Sequence, residues 1–356
     1  MNIRRLKKGI KRLLNLPKGK FLWLYIANKL KHFYFKAIRS TKVAYPSSIM
    51  LELTNHCNLS CTTCPREYQF GKSMDKGTMN ISNAKKIIDE LWPYLDSVGL
   101  TGLGETFLHK EIYEIVNYIK EKNKGIIIFV STNAVLPNFI EKVSRLIGKV
   151  DTIQVSIDGL DKIYEKIRIK ASFNDLDTNL RILCEKTKKT GTDILLNMVV
   201  TKENYMLMPE LIKYANEIGA NYVDFTLFNL VSVTEIESSY YRFYQSEEFK
   251  TIIRQLEKTK KDFRNIKVTE RKFKTINNFK KCTFPWSHFY ISWNGFMPPC
   301  CAKPFPKELN FGNVSNSTVI KVLNSEKYQA FRNLWYNNTP PSFCDKCHMI
   351  HAEPVK

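Results

Sequence analysis

The 356-residue chain is short of several things, and each shortage removes a class of protein. It lacks an apolar run of membrane-spanning length. Spanning takes about 20 apolar residues, whereas the run from Phe21 to Ala27 is followed directly by Lys29, Lys31 and Lys36. An integral membrane protein is not expected. A cleavable signal pattern is also missing, so the usage of nine cysteines suits metal binding in a reducing cytoplasm better than a disulfide scaffold. No internal repeat recurs at solenoid periods, which excludes a stacked-repeat architecture. Acidic residues are missing before Glu52, although 13 Lys and Arg lie between Arg4 and Lys42. The net charge of +21 is therefore concentrated in one arm, residues 1–47, and is far less extreme without it.

What is present is enough for one large core and a smaller appendage: 44% of residues are apolar and 12% aromatic, which excludes whole-chain disorder. From residue 48 to 228, strand-like runs alternate with amphipathic ones, the pattern of a parallel sheet covered by helices. The strand candidates are Ser48–Thr54, Asp96–Thr101, Gly125–Thr132, Asp151–Ile157, Asp193–Val200 and Asn221–Phe228. The helix candidates are Ser82–Leu95, Lys110–Lys122, Pro137–Ile147, Asp175–Thr190 and Tyr205–Ile218. The expected fold class is α/β, a partial (β/α)6 TIM-like barrel, two units short of a closed one. Residues 229–281 are polar and Lys-rich and read as a last helix, around Ser246–Lys261, and a bridge. Residues 282–356 hold five of the nine cysteines and seven prolines up to Pro341, leaving little room for a separate core. A metal is expected to organise them.

Cys57, Cys61 and Cys64 stand in a C-x3-C-x2-C spacing directly after the first strand. With nine cysteines among 356 residues, a chance match anywhere is under ~1%, so the spacing carries information. Three thiolates take three irons of a [4Fe–4S] cube and leave the fourth open to an exogenous ligand. A zinc site would recruit a fourth protein ligand, for which His56 is the candidate. The segments after the next strand candidates are polar or glycine-rich: Gly102-Leu-Gly-Glu-Thr106, Ser131-Thr-Asn133 and Ser156-Ile-Asp-Gly159, then Arg168. In parallel α/β folds such loops converge on one site. Singly, these residues indicate tight turns, a helix cap and a solvated arginine. In order, behind a three-cysteine loop, they indicate a ligand site.

On these motifs, residues 48–228 resemble the radical S-adenosylmethionine (SAM) superfamily. The resemblance implies that Cys57, Cys61 and Cys64 hold a [4Fe–4S] cluster whose open iron chelates SAM. It implies that Gly102 and Gly104 let backbone approach SAM and that Glu105 accepts from its ammonium. Asn133 corresponds to the ribose-contacting position, Ser156 and Asp158 lie after the fourth strand, and Arg168 corresponds to the partner of the SAM carboxylate. Two positions depart from the family pattern. Thr63 replaces a frequent aromatic before the third cysteine, and Thr106 replaces the proline after the glutamate.

The C-terminal set, Cys282-x12-Gly295-x4-Cys300 followed by Cys344-x2-Cys347, resembles the auxiliary-cluster module called SPASM, or twitch in its half-length form. It implies a small Cys-rich C-terminal domain at 282–356 with a second [4Fe–4S] cluster on Cys282, Cys300, Cys344 and Cys347. Cys301 is an alternative to Cys300, and a four-cysteine zinc ribbon is the alternative to a cluster. Cys184 reads as a small core residue.

The resemblance implies reductive cleavage of SAM to a 5′-deoxyadenosyl radical, with a low-potential flavodoxin or ferredoxin as electron donor. The first substrate expectation is oxidation of a small polar metabolite such as a sugar or aminocyclitol, with the auxiliary cluster accepting an electron as in half-module dehydrogenases. The second is modification of a peptide or protein side chain. A different class is a zinc-stabilised RNA-binding protein using the aromatic and Lys-rich Phe21–Lys36, although nucleic acid is not the expected partner. The expected location is cytoplasmic. A stripe of Leu22, Ile26, Leu30 and Phe33 on the basic arm points to peripheral contact with the inner membrane face, the alternative being a solvated or domain-packing basic helix.

Overall fold

The computed structural model describes residues 14–272, 282–348 and 353–354. The start of the basic arm, the end of the 229–281 bridge and most of the tail after His348 lie outside the described residues. In chain order the elements are α1 (Lys20–Ala37), β1 (Ser48–Leu51), β2 (Ser60–Cys61), α2 (Ile81–Leu91), β3 (Ser97–Leu100), α3 (Ile112–Lys122) and β4 (Ile127–Thr132). Next come α4 (Phe139–Ser144), β5 (Thr152–Ser156), α5 (Asp161–Ile167), β6 (Arg168–Ile169), α6 (Phe173–Thr187), β7 (Asp193–Val200), α7 (Met208–Ile218) and β8 (Tyr222–Leu227). The last are α8 (Glu247–Asp262), β9 (Lys267–Lys272), β10 (Phe289–Ile291), α9 (Val319–Leu323), α10 (Glu326–Tyr336) and β11 (Glu353–Pro354).

The chain forms two compact units, each discontinuous in sequence. The first comprises residues 1–56, 75–129 and 283–340. In it β1 runs parallel to both β3 and β10, with Ile49 opposite Val98 on one side and Phe289 on the other. Buried and half-buried residues alternate along β1 and β3, so one face of each strand meets the core. Helix α2 starts where Asn80 Oδ1 accepts from Ser82 N at 2.8 Å. It buries Ala84, Ile87, Ile88 and Leu91, the i, i+3, i+4, i+7 stripe, each large side chain contributing about 1.5–3 kcal/mol. Among the described residues, the stretch 283–340 packs with the first unit. Val319, Leu323, Tyr328, Phe331 and Trp335 are buried within the same unit as β1 and β3.

The second unit comprises residues 57–74, 130–282 and 341–356. Here β5, β7, β8 and β9 form a parallel run, with β7 the most deeply buried strand. Helix α6 is capped by Ser172 Oγ, which accepts from Asp175 N at 3.3 Å, and α7 ends on Gly219 with φ of 79°. All six strand candidates are present, and β9 and β10 add to them. β9 reads Lys-Val-Thr-Glu-Arg-Lys, too polar to stand out within the bridge, and β10 is three residues long. Among the described residues no helix is long and apolar enough to cross a membrane.

Candidate functional site

In the second unit, β2 pairs antiparallel with β6, placing Cys61 opposite Arg168. Cys64 N donates to Cys61 O at 3.0 Å, which closes the C-x2-C turn, and Pro65 then starts a short 3-10 turn where no N–H is needed. All three cysteines of this loop are half-buried. Asn133 Nδ2 donates to Asn58 Oδ1 at 2.8 Å and lies 3.9 Å from Cys57 Sγ. Arg168 Nη1 lies 3.8 Å from Cys61 Sγ, and its Nη2 is 3.0 Å from Asp158 Oδ2. That contact is an ion pair whose angles fall short of a hydrogen bond. Asp158 is fully buried and is held from the other side, its Oδ1 accepting from Val199 N at 2.8 Å. Asn204, which the sequence reading did not single out, donates to the Asp158 and Val199 carbonyls. Arg168 is thus a buried, oriented cation rather than a solvated one. Ser156 ends β5 opposite Asn197 and is half-buried.

Electrostatics set the state of the thiols. Burial pushes Cys61 up to about 12, with the Arg168 charge opposing it, and pushes Cys64 up to about 11. Burial works against the charge on Arg168 as well and is the largest single influence, but Asp158, Cys61, Tyr164 and Cys64 together outweigh it and the net shift is upward. These sulfurs stay protonated unless a metal takes them as thiolates.

In the first unit, the loop after β3 is built on a buried carboxylate. Glu52 Oε2 accepts from Leu103 N at 2.8 Å and from the Tyr290 hydroxyl, while Oε1 accepts from Trp293 N at 3.3 Å. Burial, then the adjacent carboxylate, raises the Tyr290 phenol well above its ordinary value. A Cβ on Gly102 would stand 2.5 Å from Glu52 Cγ, and one on Gly104 would stand 2.3 Å from Thr54 O and 2.6 Å from His56 O. Neither glycine has a positive φ; both are required by space. Glu105 is 2% exposed; its N donates to His56 O at 2.8 Å and its Oε1 accepts from Phe107 N at 3.1 Å. Thr106, where the family pattern has proline, donates to Leu100 O at 3.4 Å. Glu52 and Tyr290 were not singled out from the sequence. The only signal for Glu52 was an acidic residue inside an apolar strand candidate.

The C-terminal cysteines divide between the units. In the first, Gly295 (φ 81°) turns the chain after β10, and Cys300 O accepts from Lys303 N at 3.2 Å. Lys303 is buried in an ion pair with Glu308, and burial pushes the Cys300 thiol up. Cys301 is half-buried like Cys300. In the second, Cys347 N donates to Cys344 O at 2.9 Å across a 3-10 turn. That turn is tied down by Tyr241, whose hydroxyl donates to Lys346 O at 2.8 Å. Cys282 also falls in this unit and is half-buried. Cys184 is a buried residue of α6. Among the described residues no three Cys, His, Asp or Glu groups stand together as a ready-made single-ion site.

Residues 51–227 match the radical SAM superfamily, and residues 282–348 match the iron–sulfur cluster-binding domain called SPASM. The chain belongs to the radical SAM superfamily. A Pyrococcus furiosus protein named tungsten-containing aldehyde ferredoxin oxidoreductase cofactor-modifying protein is 26% identical over 85% of this chain and 88% of its own length. The antilisterial bacteriocin subtilosin biosynthesis protein AlbA of Bacillus subtilis is 23% identical over 94% of this chain and 71% of its own. Among solved structures, Streptococcus suis SuiB bound to SAM superposes with a TM-score of 0.67 at 16% identity, covering 98% of this chain and 82% of that one. This likeness shows the fold: a mostly parallel α/β radical SAM fold, a partial barrel rather than a closed one, with a Cys-rich C-terminal region.

This superfamily member is an enzyme of [4Fe–4S] clusters and SAM. The residues present fit those groups by chemistry. Three cysteines lie within eight residues on one loop, and Arg168 Nε is a buried donor without a hydrogen-bond partner, as a bound carboxylate would require.

Proposed function

We propose that this radical SAM enzyme is a maturase that modifies a side chain of a peptide or protein. The observation that carries the reading is the similarity to a bacteriocin biosynthesis protein over 94% of the chain. A solved structure of SuiB bound to its precursor peptide SuiA, with a TM-score of 0.65, agrees in fold. Oxidation of a small polar metabolite, the first expectation from the motifs, has less support than this second one.

When bound, the cluster and SAM supply a radical that takes a hydrogen atom from the substrate; the protein's part is to bind, orient and exclude water. Cys57, Cys61 and Cys64 would hold three irons. Asp158, itself fixed by Val199 N, holds the Arg168 guanidinium so that Nε is presented to the SAM carboxylate. Gly102 and Gly104 let the Leu103–Glu105 backbone lie against Glu52, Thr54 and His56, with Glu105 placed for the SAM ammonium. Asn133, locked on Asn58, serves the ribose, and Ser156 ends the next strand, β5. Cys282, Cys300, Cys344 and Cys347 would hold the auxiliary cluster of the 282–356 domain, with 48–228 as the catalytic core and 229–281 as the bridge. A flavodoxin or ferredoxin is the proposed electron donor.

The test is anaerobic incubation of iron-reconstituted enzyme with SAM, a reductant and short peptides encoded beside its gene, against a panel of sugars and aminocyclitols. 5′-Deoxyadenosine is followed together with product mass. A peptide changed in mass only when SAM is cleaved supports the reading, and an oxidised sugar with unchanged peptides overturns it.

A further inference from the structure

Helix α1 docks through one face and leaves the opposite face bare. On the docked side the Phe21 ring lies 4.5 Å from Trp92, and Tyr25 Oη donates to Asp96 Oδ1 at 2.9 Å. Lys29 Nζ pairs with Asp96 at 2.6 Å, the Asn28 side chain bonds both the N and the O of Tyr45, and His32 Nε2 lies 2.9 Å from Tyr45 O. Positions 21, 25, 28 and 32 share one helical stripe, so the attachment consumes one side of the helix.

The other side carries Trp23, Ile26, Leu30, Phe33 and Tyr34. Trp23 is 73% exposed, Leu30 63%, Phe33 72% and Tyr34 59%. These positions also fall on one stripe, half a turn from the first. Leu22, placed on the apolar stripe from sequence alone, is half-buried at its edge, and Trp23 takes its place. Among the described residues, eight of the twelve exposed large apolar side chains fall between Leu14 and Ile38, so this is a patch and not scattered exposure.

Charge identifies what covers it. From residue 14 to 51 the chain has seven basic residues, Lys18, Lys20, Lys29, Lys31, Lys36, Arg39 and Lys42, and no acidic one. A second copy of this chain would bring those like charges together. A nucleic acid would use ring faces but not the aliphatic Ile26 and Leu30. An anionic bilayer surface uses all of them: rings and aliphatic side chains enter the headgroup–acyl boundary and lysines meet anionic headgroups. We propose that α1 is a peripheral anchor that lays its Trp23–Leu30–Phe33 face on an anionic membrane surface while its Tyr25–Asn28–His32 face holds the first unit.

The test uses full-length protein and sedimentation with vesicles of phosphatidylcholine alone or mixed with phosphatidylglycerol. The parent is expected to bind only the anionic vesicles, and less well at high salt. The triple variant Trp23→Ser, Leu30→Ser, Phe33→Ser is expected to bind about tenfold more weakly or worse, with unchanged thermal midpoint and iron content. The pair Lys20→Glu, Lys31→Glu is expected to weaken binding with the stripe intact. Failure of the parent to bind, equal binding by the triple variant, or parent dimers in lipid-free sedimentation velocity that the triple variant abolishes would each overturn the proposal.

Discussion

The cysteine loop of the second unit and the glycine loop of the first are built on opposite plans. In the Cys57–Cys64 loop the neighbours are side chains with capacity to spare: the Cys61 and Cys64 thiols, pushed up by burial, and a buried guanidinium with Nε unpartnered. Around Gly102–Glu105 the contacts are close packing, Gly102 against the Glu52 side chain and Gly104 against the backbone of residues 54–56, pinned by one carboxylate that accepts from Leu103, Tyr290 and Trp293. The first loop keeps a buried donor unsatisfied, and the second is held in place by contacts within its own unit.

The sharpest way to break the comparison is to empty the cysteine loop. Converting Cys57, Cys61 and Cys64 together to Ala should lower bound iron from about eight to about four per chain and abolish 5′-deoxyadenosine formation. Thermal stability without iron should hardly change. Full iron retention, measured by colorimetric assay after anaerobic reconstitution, would contradict the assignment.

Next in size is Arg168→Ala, which leaves Asp158 buried with its charge unpaired. Breaking a buried pair costs about 3–5 kcal/mol, so denaturant titration should detect it even without SAM. Arg168→Lys keeps a charge but loses the planar fork, and is expected to weaken SAM binding with a smaller loss of stability.

In the glycine loop the expected effect is steric. Gly104→Ala drives a methyl into the carbonyls of Thr54 and His56 and should cost about 1–3 kcal/mol with a raised KM for SAM. Gly99→Ala, nearby in β3, meets nothing nearer than 3.7 Å and serves as the tolerated control. If both variants melted alike, close packing of the loop would not be what Gly104 provides.

The smallest expected change is Glu52→Gln, which keeps the shape but weakens charge-assisted bonds from Leu103 N and Tyr290 by about 1 kcal/mol. A positioning role predicts a rise in KM for SAM with kcat nearly unchanged. A fall in kcat alone would argue against it.

The sequence by itself determined the chemistry and the order of elements. The C-x3-C-x2-C spacing is local, so three thiols on one loop can be read directly, and the period-2 and period-3.6 patterns mark β8 and α3 because one face of each meets a core along its whole length. Helix α5 went unread because Asp161–Ile167 is two turns long, and β9 because its side chains are charged. Tertiary structure alone decided the partners: that Arg168 answers Asp158, that Tyr290 reaches back 238 residues to Glu52, and that Trp23 faces outward while Tyr25 faces in. Both compact units draw segments from distant parts of the chain. Periodicity says which face of an element is apolar, but which distant residue closes a hydrogen bond or crowds a glycine depends on how the backbone is brought back on itself, and no local pattern records that.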